Sequence, residues 1–310
     1  MKLIAVVGPT ATGKSALGIA LALQYNGEIV SCDSTAVYRE IDIGTDKPSD
    51  ADRRLVPHHL IDVADPSEIY SAAKYAEDAG RAIRDITARG KLPILVGGTG
   101  FYYRALVRGL FPGPARDAEL RDRLDRVAAV RGVMSLHRWL LRVDPDSARR
   151  IQPRDKKRLV RALEVYLLTG RPLTDHFQQT TSAIAGYAVQ PIGLTLPRPL
   201  LKTRVSARVD EQFSRGVVRE VERLFARGVP ASAHALSGLV YRQVVEMLQG
   251  ARNEDATREL IVRENMRYAK RQMIWFRHEA GIHWLHGAGE TAAVQGDAQA
   301  FVATFLASGS

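Results

Sequence analysis

The chain has 310 residues, 45% hydrophobic and 25% charged, and 44 Lys and Arg against 34 Asp and Glu leave a net charge of +10. Such a length builds one large domain or two modest ones, and the composition suffices for a packed core. A single cysteine, Cys32, excludes an intrachain disulfide framework, no apolar run reaches the roughly 20 residues that span a bilayer, and the positive charge points toward a polyanionic partner.

Met1 to Val7 carries one lysine and leads straight into a glycine loop, so a buried first strand is expected rather than a signal peptide. The expectation is a cytoplasmic protein with no membrane association, and nothing in the chain demands more than a monomer. Leu3–Val7 is a short continuous apolar run, as in a strand covered on both faces. Ala16–Leu23 reads as a helix, Glu28–Cys32 as a second strand, His59–Val63 as a third, Tyr70–Thr87 as an amphipathic helix and Lys91–Val96 as another buried strand. This alternation predicts an α/β fold with a doubly wound parallel sheet. From Pro112 the texture becomes helical and arginine-rich, and a strand signal returns only at Gln190–Thr195, followed by long helices to about Gly281. The organisation expected is a core of residues 1–113 and 187–310 with an all-helical insertion at 114–186. The last fifteen residues, rich in Ala and Gly, are expected to contribute little.

Gly8-Pro9-Thr10-Ala11-Thr12-Gly13-Lys14-Ser15 matches the pattern G-x-x-x-x-G-K-[ST] in full. Its glycines let backbone N–H groups wrap a phosphate, the following helix offers its positive end, Lys14 adds a point charge, and Ser15 is placed to ligate Mg²⁺. Asp33 follows the second strand, at the sheet edge where open α/β folds put ligands, and is open to three roles: magnesium ligand, helix cap or general base. Thr99, in the "GGTG" stretch after Lys91–Val96, is expected over the same crevice; the plainer reading of those glycines is a tight turn with positive φ. Arg204 and Arg208, spaced i, i+4, are candidates to clamp a second phosphate. The pair His58-His59 reads as structural.

Two basic clusters stand out. Residues 149–161 (RRIQPRDKKRLVR) hold seven cations against Asp155 alone, and Arg263, Arg267 and Arg271 share one helical face opposite Met266, Ala269, Met273 and Phe276. A solvated face is the ordinary meaning of such stripes; with the net charge they also fit a nucleic-acid surface.

GPTATGKS, SCDSTAVYREIDIGTDKP, PHHLIDVADPSEIYSAAKY, LVGGTGFYYRAL, RALEVYLLTGRPLT and YAKRQMIWFR occur in the order and spacing of the tRNA dimethylallyltransferase (tRNA isopentenyltransferase) family, which the chain resembles over about residues 1–286. The resemblance implies a P-loop-kinase-like core with an inserted helical domain gripping the tRNA anticodon stem-loop. It implies transfer of a dimethylallyl group from dimethylallyl diphosphate to the exocyclic N6 of the adenine 3′-adjacent to the anticodon. The diphosphate would lie in the Gly8–Ser15 loop with Mg²⁺ near Ser15 and with Arg204 or Arg208; Asp33, Thr99 and Lys14 would be catalytic. The tRNA contacts implied are Asp33, Ser34, Thr35, Ala36, Thr99, Arg121, Lys157, Arg158, Leu159, Val160, Arg161, Tyr241, Arg242, Lys270, Arg271, Gln272 and Arg277. One departure is "GLVYRQ", where Val240 occupies the place of the family's glycine and Gly238 is expected to relieve the turn. Two other readings use the same features: a kinase binding ATP in the loop, with the insertion as its lid, or an RNA-binding module whose loop only senses phosphate. The length and basic charge of the insertion favour RNA over a lid.

Overall fold

The computed structural model describes residues 1–111, 113–177 and 180–308. The described chain separates into two compact units, residues 1–107 with those from Ala183 onward, and residues 108–182. The boundaries expected at 114 and 186 therefore move to 108 and 182. The reason is local: Leu110 bridges Thr181, and Gly109 presses on the Thr181 carbonyl group, so the two ends of the segment close on each other.

The larger unit begins with strand β1 (Lys2–Val7), helix α1 (Lys14–Gln24), strand β2 (Gly27–Cys32), helix α2 (Asp50–Leu55), strand β3 (His58–His59), helix α3 (Ala72–Ala88), strand β4 (Leu92–Gly97) and helix α4 (Gly100–Val107). The smaller unit holds α5 (Ala118–Arg131), α6 (Val133–Val143), α7 (Pro145–Arg150), α8 (Lys156–Thr169) and α9 (Leu173–His176). The larger unit resumes with β5 (Ala188–Thr195), α10 (Arg198–Ser214), α11 (Val217–Ala226), α12 (Tyr241–Leu248), α13 (Glu254–Arg277), β6 (His283–His286) and α14 (Ala292–Ala307). The six strands form one parallel sheet in the order β3-β2-β4-β1-β5-β6.

The apolar run of β1 is continuous because the strand serves two cores. Leu3, Ala5 and Val7 join one cluster with α3, α4, α11 and α12, while Ile4 and Val6 face Leu17 and Leu21 of α1 on the other side. That is the period of two expected of a strand, with helices on both faces. Helix starts follow their capping residues: Ser71, Asp117, Asp155 and Asn253 each accept a backbone N–H in the first turn of α3, α5, α8 and α13.

Two expectations are corrected. The strand foreseen at His59–Val63 stops at His59, because Leu60 (φ 61°) and Asp62 (φ 59°) take left-handed backbone that an extended strand cannot hold. The C-terminal stretch is not inert: α14 buries Val294, Ala298 and Val302 at i, i+4, i+8 against the α1 face of the sheet. Low side-chain volume hid this helix in the composition, yet each fully buried valine contributes about 1.5–3 kcal/mol.

Candidate active site

β1 delivers the chain to the phosphate loop at Gly8. There φ is 133°, and a Cβ would come within 2.6 Å of the Leu194 carbonyl oxygen, so only glycine fits. Gly13 (φ 87°) turns the chain into α1, whose N-terminus has no side-chain cap. The first-turn N–H groups of α1 are therefore left for a ligand. Thr12 is buried and ties the loop by donating to the Pro9 carbonyl at 2.9 Å.

Three cations converge on this loop. Lys14 Nζ donates to the Pro9 carbonyl at 2.5 Å, and its pKa is lowered to about 7, first by burial and then by the charge of Arg208, with Asp33 opposing. Arg208 donates to Thr10 Oγ1 at 2.7 Å and pairs with Asp46. Arg204 donates to the Ala11 carbonyl at 2.7 Å and to Glu290 at 2.5 Å. Both arginines expected at this site thus reach the loop itself. Gln272 closes the loop from above: its Oε1 accepts from Thr10 N and its Nε2 donates to the Gly98 carbonyl, both at 2.8 Å.

Lys14, Ser15, Asp33, Arg204 and Arg208 line a cavity of about 590 Å³, together with Thr10, Ala11, Gly13, Ala36, His58, Tyr268 and Gln272. His58 thus lines the cavity, whereas its neighbour His59 meets Glu28 at 2.7 Å. A smaller cavity of about 170 Å³ adjoins it, sharing Thr10, Asp33, Thr45, Arg208 and Tyr268 and lined further by Ser34, Thr35, Val205, Val209, Gly238, Leu239, Val240 and Asn265. Asp33 stands at the junction. Its Oδ1 is committed to a local turn, accepting from Thr35 N (2.8 Å), Thr35 Oγ1 (2.6 Å) and Ala36 N (3.3 Å), while Oδ2 accepts no hydrogen bond among the described residues. One carboxylate oxygen is anchored and the other faces no fixed donor.

Thr99 joins the ends of β2 and β4, since its N–H donates to the Cys32 carbonyl and its Oγ1 accepts from Ser34 N, each at 3.1 Å. Tyr268 of α13 lines both cavities, and its pKa is pushed up to about 12 by burial and then by the Asp33 charge. The glycines around Thr99 do not take positive φ. They serve close approach instead: a Cβ on Gly98 would strike the Gln272 amide, and one on Gly100 the Trp275 ring.

The candidate RNA contacts divide sharply. Lys157, Arg158, Arg242, Lys270, Arg271 and Arg277 are exposed, and Ser34, Thr35 and Ala36 line the cavities. Leu159 and Val160 are buried in the core of the smaller unit, and Tyr241 is fully buried, donating to Glu220 at 2.5 Å and accepting from Gly44 N at 2.9 Å. These three side chains are removed from the list of contacts. Arg121 and Arg161 are held by Glu164, which is inaccessible to solvent: Arg121 Nε and Nη2 donate at 2.7 and 2.8 Å and Arg161 Nη1 at 2.6 Å. Burial pushes the Glu164 carboxyl up, but these donors and Asp117 N outweigh it and hold it at about 2. Gln272 is likewise spent on the two loops. At the GLVYRQ turn, Val240 itself takes φ 77°, whereas Gly238 sits at −65°, so the expected relief by Gly238 is corrected.

Sequence reasoning missed Tyr268, Asp46, Gln212 and Glu290. Gln212 donates to Asp46 at 2.7 Å, and Asp46 in turn orients Arg208. Among the described residues no three His, Cys, Asp or Glu side chains gather to cage a metal. Mg²⁺ usually takes one or two protein oxygens and completes its shell with phosphate and water, so the Ser15 hydroxyl beside the phosphate loop fits such an ion.

Residues 36–279 match the family model described as IPP transferase. The tRNA dimethylallyltransferase of Koribacter versatilis is 45% identical, over 97% of this chain and 98% of its own. That of Geobacter metallireducens is 47% identical, over 93% and 94%. The crystal structure of the full-length tRNA isopentenylpyrophosphate transferase from Bacillus halodurans is similar with a TM-score of 0.73 and 36% identity, over 98% of this chain and 96% of that one. A eukaryotic dimethylallyltransferase acting on tRNA gives a TM-score of 0.78 at 27% identity, over 98% of this chain and 77% of its own. Alike in sequence and fold over nearly its whole length, the chain belongs to the IPP transferase family.

Proposed function

We propose that the protein transfers the dimethylallyl group of dimethylallyl diphosphate to the exocyclic N6 of the adenine 3′-adjacent to the anticodon in tRNA, giving N6-isopentenyladenosine and diphosphate. The observation that carries this reading is the position of Asp33, at the junction of a cationic phosphate cup and a second, smaller cavity. A donor diphosphate fits the cup, and a base entering from the other side meets the unanchored Asp33 oxygen. The names of the relatives supply the donor and acceptor classes.

In this mechanism the N6–carbon bond forms as the allylic carbon–oxygen bond breaks, and the bonding pair leaves on the diphosphate. Asp33 takes the proton from N6, which matters because the amine lone pair is delocalised into the ring. The N–H groups of the loop, Lys14, Arg204 and Arg208 stabilise the charge that builds on the leaving diphosphate. Mg²⁺, held through Ser15, would neutralise further phosphate charge when bound. Thr99, fixed by Ser34 N and the Cys32 carbonyl, positions the reacting base beside Asp33. Lys157, Arg158, Arg242, Lys270, Arg271 and Arg277 take RNA phosphates, with Ser34, Thr35 and Ala36 nearer the base. We further propose that the protein works as a cytoplasmic monomer; among the described residues no helix is long and apolar enough to cross a membrane.

The test is incubation with labelled dimethylallyl diphosphate and unmodified tRNA, followed by nuclease digestion and mass analysis. Label is expected in one adenosine per acceptor tRNA. Unlabelled RNA together with hydrolysis of added ATP would replace this reading with that of a kinase.

A further inference from the structure

The chemistry above leaves unused one exposed aromatic residue close in sequence to Thr99. α4 begins directly after Thr99, and its first turn leaves Phe101 56% exposed while Tyr102 and Tyr103 are buried. α13 packs on the same turn. Trp275 covers Gly100, and Arg104 lies 4.7 Å from the Trp275 ring while donating to Glu279 at 2.9 Å. The outward face of α13 then carries Lys270, Arg271, Ile274 and Arg277 at i, i+1, i+4 and i+7, all exposed, with Ile274 at 48%. Arg267, one turn earlier, is neutralised by Glu264 at 2.5 Å, but Lys270, Arg271 and Arg277 pair with no carboxylate among the described residues.

An exposed ring on the turn against which α13 packs, with unpaired cations along that helix, complements an unpaired nucleic-acid strand, whose bases stack while its phosphates meet the cations. We propose that Phe101 is the stacking platform for an unpaired base next to the target nucleotide, with Lys270, Arg271 and Arg277 taking the flanking phosphates. The proposal rests on the reading of RNA as acceptor. It adds a residue two positions from Thr99 that reads neither sequence nor charge and holds the loop open by its ring face.

The experiment uses the full-length protein and an anticodon stem-loop RNA carrying 2-aminopurine beside the target adenine. Wild type is expected to quench the probe on binding. Phe101→Ala should weaken RNA binding about tenfold and lose the quench, Phe101→Trp should restore both, and Phe101→Leu should not. Diphosphate affinity and the salt dependence of RNA binding should stay unchanged in all three, since the phosphate contacts remain. RNA binding by Phe101→Ala at wild-type strength, or rescue by Leu as well as Trp, would overturn the stacking role alone. Failure of the wild type to bind the RNA at all would overturn this inference together with the acceptor reading.

Discussion

Two sets of cations in this molecule carry the same formal charge and do different work. In the crevice, Arg204 and Arg208 are about one-third exposed and each is fixed by a loop atom and by an acid, Glu290 or Asp46. On α8, Arg158 is 72% exposed, with only its own capping residue Asp155 at 3.3 Å, and Lys157 is open to solvent. The first set is organised before its ligand arrives, as a diphosphate leaving group requires. The second is loosely held, which suits a diffuse polyanion whose phosphates need not be met at fixed points. Arg121 and Arg161 are a third case, cationic in the sequence but both tied to the single buried carboxylate of Glu164. Formal charge in a sequence does not distinguish these cases; the acids that each cation meets do.

The strongest way to break the comparison lies in the crevice. Asp33→Ala should lower transfer by about 10²–10⁴-fold while tRNA affinity in a filter-binding assay stays close to wild type, because the base is lost and the phosphate contacts are not. Asp33→Asn, which keeps an oxygen for Thr35 and Ala36, should be as inactive; near-normal turnover in either would end the role of Asp33 as base.

Next is the pair tied to Glu164. Glu164→Gln strips a buried carboxylate from two arginines and should cost about 2–4 kcal/mol, seen as faster hydrogen exchange in α5 and α8. The sign with pH follows from its depressed pKa: the stabilisation is complete above the ordinary glutamate value of 4.5 and is lost as pH falls toward about 2. The variant should lack that acid-dependent loss, and an identical acid profile would mean that Glu164 does not hold the arginines.

On the loose side, Lys157→Glu with Arg158→Glu should raise the tRNA KM about tenfold and flatten the salt slope by about one per phosphate contact removed. Diphosphate affinity should not move. An unchanged salt slope would place the RNA elsewhere.

The most gradual effect, one spread over pH, concerns Lys14. With its pKa near 7, free protein loses the Lys14 charge as pH rises through 7, so donor binding should weaken above that pH by at most tenfold per unit. The same shift makes the ligand-free fold gain stability as pH rises from about 7 toward 10.5, where the unfolded chain still binds the proton. Lys14→Met should remove the Lys14 part of both slopes, as titration calorimetry and thermal melts at several pH values would reveal.

The sheet, the phosphate loop, Asp33 and Thr99 were legible because each has a local signature: buried runs, a spaced glycine motif, and polar residues at strand ends. Pairings across distant segments have none. Nothing in the periodicity of α8 distinguishes Lys157, which faces water, from Arg161, which faces Glu164. Gln272 on α13 is implied by the family resemblance only as a tRNA contact, and nothing in its spacing points to the Thr10 N–H and the Gly98 carbonyl that it holds. Val240 shows the opposite case. Its departure from the family's glycine was visible, but only the backbone reveals that the valine itself takes a positive φ, a conformation that favours glycine.

The central claim is that the phosphate loop holds the diphosphate of a prenyl donor and not that of ATP. The direct measurement is competition calorimetry, with dimethylallyl diphosphate, inorganic diphosphate and ATP titrated against each other on the intact protein with magnesium. Dimethylallyl diphosphate and inorganic diphosphate are expected to displace one another at one site, with ATP much weaker and unhydrolysed. ATP binding as tightly as the prenyl donor, with turnover to ADP, would contradict it.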